Sequence, residues 1–152
     1  MARYRKVKDA SGRLGYARQV PFTYVVNITT TALANGLTAT GSFQVDTGLP
    51  FILTEMGCAN DTDTATLTTL QNLLFAILDG ETQQQFSNGP IPRERMFGTR
   101  DFPRQLPSEV ELSPADTLTV TMTNNTGAAL TSVTRITFSG YKLVGFSATA
   151  SE

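Results

Sequence analysis

The sequence predicts an all-β domain, a sandwich of about eight strands, on three observations. Thr makes up about a sixth of the 152 residues, and charged residues only 16%, against a usual charged share of about 25%. Thr is β-branched and suits a half-exposed pleated surface better than a helix. Short runs that alternate apolar and polar residues recur along the chain, as strands with one wet face do. Clusters of Gly, Pro, Asn, Asp and Ser divide these runs every ~8–12 residues, the spacing of a sandwich or barrel.

The elements follow in order. Residues 1–18 hold six of the 12 basic residues, Arg3, Arg5, Lys6, Lys8, Arg13 and Arg18, and a single acid, Asp9. The segment is +5; the remaining residues, with six basic and 12 acidic side chains, are −6. Ser11, Gly12 and Gly15 interrupt it and no period emerges. It therefore reads as an extended N-terminal arm, disordered in isolation, ahead of a sandwich domain over residues 19–152. Such an arm suits an acidic neighbour. Nucleic acid is disfavoured, because the arm is short and the acidic body repels phosphates.

Phe22, Tyr24, Val26 and Ile28 share one face of the first strand. Asn35 and Gly36 form a turn, since both tolerate positive φ. Residues 37–45 alternate again, residues 47–50 break the chain, and 51–55 read as a short strand. Leu67, Leu70, Leu73, Leu74 and Leu78 fit a helical stripe, but residues 74–78 are one apolar run, as in a strand buried on both faces. Residues 73–79 are therefore assigned to a strand, with 64–72 left open. Residues 88–107 are rich in Pro and Arg and read as one long irregular loop. Its Met96, Phe97, Phe102 and Leu106 are apolar enough to pin it to the body or to a partner. Leu118, Val120 and Met122 then alternate with Thr, and Val133, Ile136 and Phe138 run nearly in step. Ser139 and Gly140 break that strand, and residues 141–146 close the domain.

The same residues exclude chemistry. There is no His and one Cys, which removes the commonest general base and metal ligand and any internal disulfide. Cys58 has no imidazole to activate it as a nucleophile. Asp46 with Asn60, Asp61 and Asp63 offers oxygen ligands for calcium, but the spacing lacks the Gly and distal Glu of a hand-type loop; an Asx-rich turn is the plainer reading. Asp79 with Glu81, or Glu109 with Glu111, has the composition of a glycosidase carboxylate pair. Acids on a strand more often discourage edge pairing. No cofactor, metal or catalytic site is expected, so the chain reads as non-enzymatic. Arg93, Arg95, Arg100 and Arg104, interleaved with Phe97 and Phe102, read as an interface. No run of about 18 apolar residues occurs and no hydrophobic stretch follows the basic start. A reducing, cytoplasm-like site of synthesis and no membrane contact are expected.

Four segments in the expected order resemble the small jelly-roll auxiliary head proteins of tailed bacteriophages, the cement or decoration class. They are the basic arm running into Pro21, Phe22, Thr23 and Tyr24; residues 35–46 followed by Pro50, Phe51, Ile52 and Leu53; the loop from Phe97, Gly98 and Thr99 through Phe102 and Pro103 to Leu106 and Pro107; and residues 116–127 followed by 137–142. The resemblance implies a two-sheet jelly roll, self-association as a dimer or trimer, docking on the major capsid protein, and a place in the virion after synthesis in a host cytoplasm. It implies no catalytic residues. The contacts expected are Arg3, Arg5, Lys6, Lys8, Arg13 and Arg18 in the arm and Arg93, Arg95, Phe97, Arg100, Phe102 and Arg104 in the loop. Deleting residues 1–18 is expected to leave the fold intact. A carbohydrate-binding jelly roll is the alternative; the absence of Trp leaves it without an evident stacking platform.

Overall fold

In a computed structural model, described over residues 2–9, 11–29, 32–60, 72–99 and 101–148, the strands are β1 (Arg3–Lys8), β2 (Leu14–Thr29), β3 (Thr38–Gln44), β4 (Phe51–Asn60), β5 (Leu73–Asp79), β6 (Ile91–Pro92), β7 (Arg104–Leu112), β8 (Thr117–Asn124) and β9 (Val133–Ala148). Among the described residues one short helix, α1 (Arg93–Phe97), sits between β6 and β7. The strands form two antiparallel sheets, ordered β1-β2-β9-β4-β7 and β3-β8-β5-β6.

The pairing explains the order. β2 pairs with β9, β3 with β8, β4 with β7 and β5 with β6. These pairs are nested, so the chain behaves as one long hairpin folded over on itself, with successive strands falling alternately in the two sheets. That is the jelly-roll arrangement. β1 is added outside it, at the free edge of β2.

Alternation places the core. On β8, Leu118, Val120 and Met122 are fully buried and the intervening Thr residues half-buried. They meet Phe75 and Ile77 of β5 in their own sheet, and Val26, Ile28, Phe51, Leu53, Ile136 and Phe138 of the facing sheet. A chain of rings crosses the sandwich. Tyr24 stacks on Phe43 at 4.6 Å, Phe43 lies 4.9 Å from Phe138, and Phe51 meets Tyr24 edge-on at 5.0 Å, geometries that aromatic pairs prefer.

Three expectations about strands are corrected. β9 does not break at Gly140: the close approach of β4 demands this glycine, since a Cβ there collides with the Ile52 carbonyl. The inward residue near its start is Thr134, not Val133, because Asn60 Nδ2 donates a buried 2.6 Å hydrogen bond to the Thr134 hydroxyl. The strand expected over 51–55 runs on to Asn60. The open stretch 64–72 lies outside the described residues except for Asn72. At one end, Asn124 joins two turns: its amide donates to the Leu33 and Ala128 carbonyls at 2.7 Å, and its side-chain oxygen accepts from Thr126.

The loop expected over 88–107 is mostly regular structure. It contains β6, α1 and the first residues of β7. Arg93, Met96 and Phe97 are spaced i, i+3, i+4, so α1 turns all three inward, and all are buried. Phe97 meets Phe75 edge-on at 4.9 Å.

Candidate docking surface

The basic segment is a folded hairpin. Asp9 organises its turn. The Oδ1 atom accepts from the Ser11 and Arg13 amides, both at 2.9 Å, and from the Ser11 hydroxyl at 2.7 Å; Oδ2 accepts from Arg13 Nε at 2.8 Å. Gly12 supplies the positive φ of 83°. The Ser11 hydroxyl, the Arg13 amide and guanidinium and the Ser11 amide hold the Asp9 carboxyl well below the usual carboxylate range. β1 and β2 then pair from Lys8 opposite Leu14 to Arg3 opposite Gln19. Residues 14–18 are part of β2 and also pair along β9, so the boundary expected after residue 18 falls inside a strand.

The hairpin has two faces because side chains alternate. One face carries Val7 and Ala17. It folds against the outer surface of the five-stranded sheet and, with Ile52 and Leu143, forms a second small apolar cluster in which Ile52 is fully buried. Arg5 lies on this face and reaches the far edge strand, pairing with Glu109 and, at 3.8 Å, with Glu111. The sheet is therefore curled until its two edges meet through an ion pair. Removing residues 1–18, expected to leave the fold intact, uncovers Ile52 and Leu143 and strips β9 of part of its partner.

The other face looks outward. Tyr4 lies across from Arg18, Lys6 from Tyr16 and Lys8 from Leu14. Cation thus stands beside aromatic or aliphatic group at every step of the ribbon. Tyr4 is 65% exposed, Tyr16 46% and Leu14 47%, and Lys6, Lys8 and Arg18 are exposed beside them. No carboxylate of the described residues pairs with Lys6, Lys8 or Arg18. Exposed apolar side chains standing singly are ordinary; several on one rigid ribbon form a patch.

The twelve residues expected as contacts therefore divide. Arg3, Lys6, Lys8 and Arg18 are exposed on the hairpin. Arg5 and Arg13 are held by this chain's own acids. Arg93 and Phe97 are buried, which removes them from any contact; the Arg93 guanidinium donates to the Cys58 carbonyl at 3.2 Å. Arg104 donates to the Arg95 and Met96 carbonyls and so closes the end of α1. Arg95 is exposed, and Phe102 is 78% exposed at the tip of a turn closed by Thr99 and Phe102. Arg100 lies outside the described residues.

The candidate chemical groups are occupied elsewhere. Glu109 and Glu111 hold Arg5. The Asp46 carboxylate pairs with Lys142, whose ammonium lies 4.9 Å above the Phe22 ring; Asp61 and Asp63 lie outside the described residues. Asp79 faces Asp116 rather than Glu81, and both carboxylates accept from the Glu81 amide, at 2.9 and 3.0 Å. Burial and the neighbouring Asp79 push the Asp116 carboxyl up; at Asp79 burial acts upward too, but donors from Thr82, Asp116 and Glu81 outweigh it and bring the carboxyl down. Among the described residues no group of three or more His, Cys, Asp or Glu lies placed to hold a metal, and no helix is long and apolar enough to cross a membrane.

Compared with known proteins, the chain matches no family model, no curated protein and no solved structure.

Proposed function

We propose that the chain is a structural, non-enzymatic virion protein of a tailed bacteriophage that decorates the head, docking on the major capsid protein through the exposed face of its β1–β2 ribbon. The observation that carries the reading is this face: Tyr4, Tyr16 and Leu14 alternating with Lys6, Lys8 and Arg18 on a hairpin whose turn is locked by Asp9. Tyr and Arg are the residues that anchor interfaces. A pre-ordered ribbon loses little conformational entropy on docking, which a disordered arm must give up. The cations select an acidic partner and speed the encounter. Low charge over the rest of the sandwich lets copies lie side by side as a dimer or trimer without burying unpaired ions. Many copies on one shell multiply a modest affinity per contact. The protein is made in the host cytoplasm and takes its place on the capsid.

The test replaces side chains and leaves the hairpin's covered face in place. Lys6→Glu with Lys8→Glu is expected to unfold at the wild-type temperature and to lose at least tenfold in occupancy on head shells stripped of this chain, with wild-type binding weakened by added salt. Wild-type occupancy by the double variant overturns the reading.

A further inference from the structure

Alternation gives the four-stranded sheet an outer surface of unusual composition. β8 turns Thr117, Thr119, Thr121 and Thr123 outward, half-buried, because Leu118, Val120 and Met122 fill the core. By register, the exposed Thr38, Thr40, Ser42 and Gln44 of β3 flank them on one side. The half-buried Leu74, Ala76 and Leu78 of β5 flank them on the other. Asp79 is the sole ionisable residue in β3, β5, β6 and β8, and its place opposite the inward Leu118 takes it off this surface. The surface therefore bears no charge. It carries no aromatic ring, because Phe43 and Phe75 point into the core.

A surface of this kind suits its own copy. Contact of a face with itself about a twofold axis sets each group near the axis against its twin. A charge there meets its like, whereas a hydroxyl, which both donates and accepts, meets a partner. The ribbon fails this condition, since Lys6, Lys8 and Arg18 would face themselves. An acidic partner finds no cation on the sheet, and a glycan finds no ring to stack on. At ~4.8 Å between strands and ~3.4 Å per residue, β3, β8 and β5 present roughly 15 by 24 Å in plan. Side-chain relief, with Pro92 and Gln85 beside β5, brings two such faces near the ~1,000 Å² at which specific association begins. A net charge of −1 leaves little repulsion between copies. We propose that the outer face of the four-stranded sheet is a self-association surface, occupied by the same face of a second copy in a reversible twofold homodimer. Thr121 lies at its centre, between Thr40 and Ala76. Release of water from Leu74, Leu78 and the Thr methyl groups drives the contact. The ribbon belongs to the other sheet, so both ribbons of the dimer stay uncovered. The dimer does not depend on what the ribbon binds.

Sedimentation equilibrium of the free, full-length protein tests this over roughly 1 µM to 1 mM, the range of weak association. The wild type is expected to fit a monomer–dimer equilibrium whose Kd added salt does not raise, because no ion pair is involved. Thr121→Glu and Thr121→Lys each set like charges face to face. Each is expected to raise the Kd at least tenfold, with wild-type circular dichroism. An equimolar mixture of the two is expected to restore the dimer. Thr40→Glu, at an exposed position of β3, repeats the test where the fold refuses a charge at the centre. A wild type that stays monomeric overturns the proposal. A trimer does so too, since a face that meets itself closes at two. So does a mixture of the Thr121 variants that stays monomeric. A dimer that the Thr121 and Thr40 variants leave intact, and that Lys6→Glu with Lys8→Glu alters, moves the contact to the ribbon and overturns it as well. Any of these failures with intact Lys6- and Lys8-dependent occupancy on head shells overturns the dimer face and leaves the docking reading standing.

Discussion

Two stretches of this chain combine arginines with aromatic residues, and the fold uses them oppositely. In residues 3–18 Tyr4, Lys6, Lys8, Tyr16 and Arg18 fall at period two, so an edge hairpin turns them to water on one face and spends the other on covering Ile52 and Leu143. In residues 93–104 the key spacing is three and four. α1 puts Met96 and Phe97 into the main core, buries Arg93 beside Cys58, and leaves Arg104 to satisfy the carbonyls at the helix end. Composition is alike in the two stretches. The period decides which aromatic meets a partner and which meets the core. The clusters they serve also differ in size: among the described residues, 21 buried residues lie between the sheets and four form the cluster of the hairpin with β4 and β9.

Substitutions sharpen this contrast. The largest effect is expected at Phe97. Phe97→Ala empties a fully buried site against Phe75 and is expected to cost about 3–5 kcal/mol in denaturant unfolding. A cost near zero places Phe97 outside the core and breaks the comparison. Val7→Ala removes two methyl groups from the small outer cluster and is expected to cost about 1.5 kcal/mol at ~0.8 kcal/mol per group, with the loss concentrated in β1 and the start of β2.

Acid acts on the hairpin alone among the two. Because the Asp9 carboxyl is lowered from its ordinary value of 3.8, the stability it contributes is present above that pH and is lost as pH falls below it. Amide protection in β1 at pH 2, corrected for intrinsic exchange rates, is expected to drop relative to pH 6, while protection around Phe97 holds. Asp9→Asn is expected to remove that difference. The smallest effect belongs to Arg5→Gln. Arg5, Glu109 and Glu111 are partly exposed, and such pairs contribute about 0–1 kcal/mol. A loss that shrinks in high salt is expected in thermal unfolding.

The sandwich was legible because its signals are local and redundant. Leu118, Val120 and Met122 alternate without fault and all three are buried. The apolar run 74–78 does lie within the strand β5, but only one face is buried: Leu73, Phe75 and Ile77 enter the core while Leu74, Ala76 and Leu78 are half-exposed, so a continuous apolar run did not mean burial on both faces. Thr134 displaced Val133 for a reason no periodicity carries, a buried hydrogen bond to Asn60 from another strand. Gly140 looked like a break because a glycine needed for close packing and one needed for a turn are the same letter. α1 spans five residues, barely more than one turn, too few for an apolar stripe to repeat and stand out from a loop. In the docking surface the cations were legible and the hairpin was not. Asp9, Ser11 and Gly12 carry the turn signal, an Asx turn closing on a glycine, but the high charge around them reads as disorder. Which face of the hairpin would be covered depended on Ile52, distant in sequence.

The central claim is that the basic segment is already a folded ribbon before any partner arrives. Amide hydrogen exchange on the free protein at neutral pH tests it most directly. Alternate amides of Arg3–Lys8 are expected to exchange slowly, those that bond to β2, with their neighbours on the open edge exchanging fast. Exchange of every amide in this strand at the rate of an unstructured chain would contradict the account.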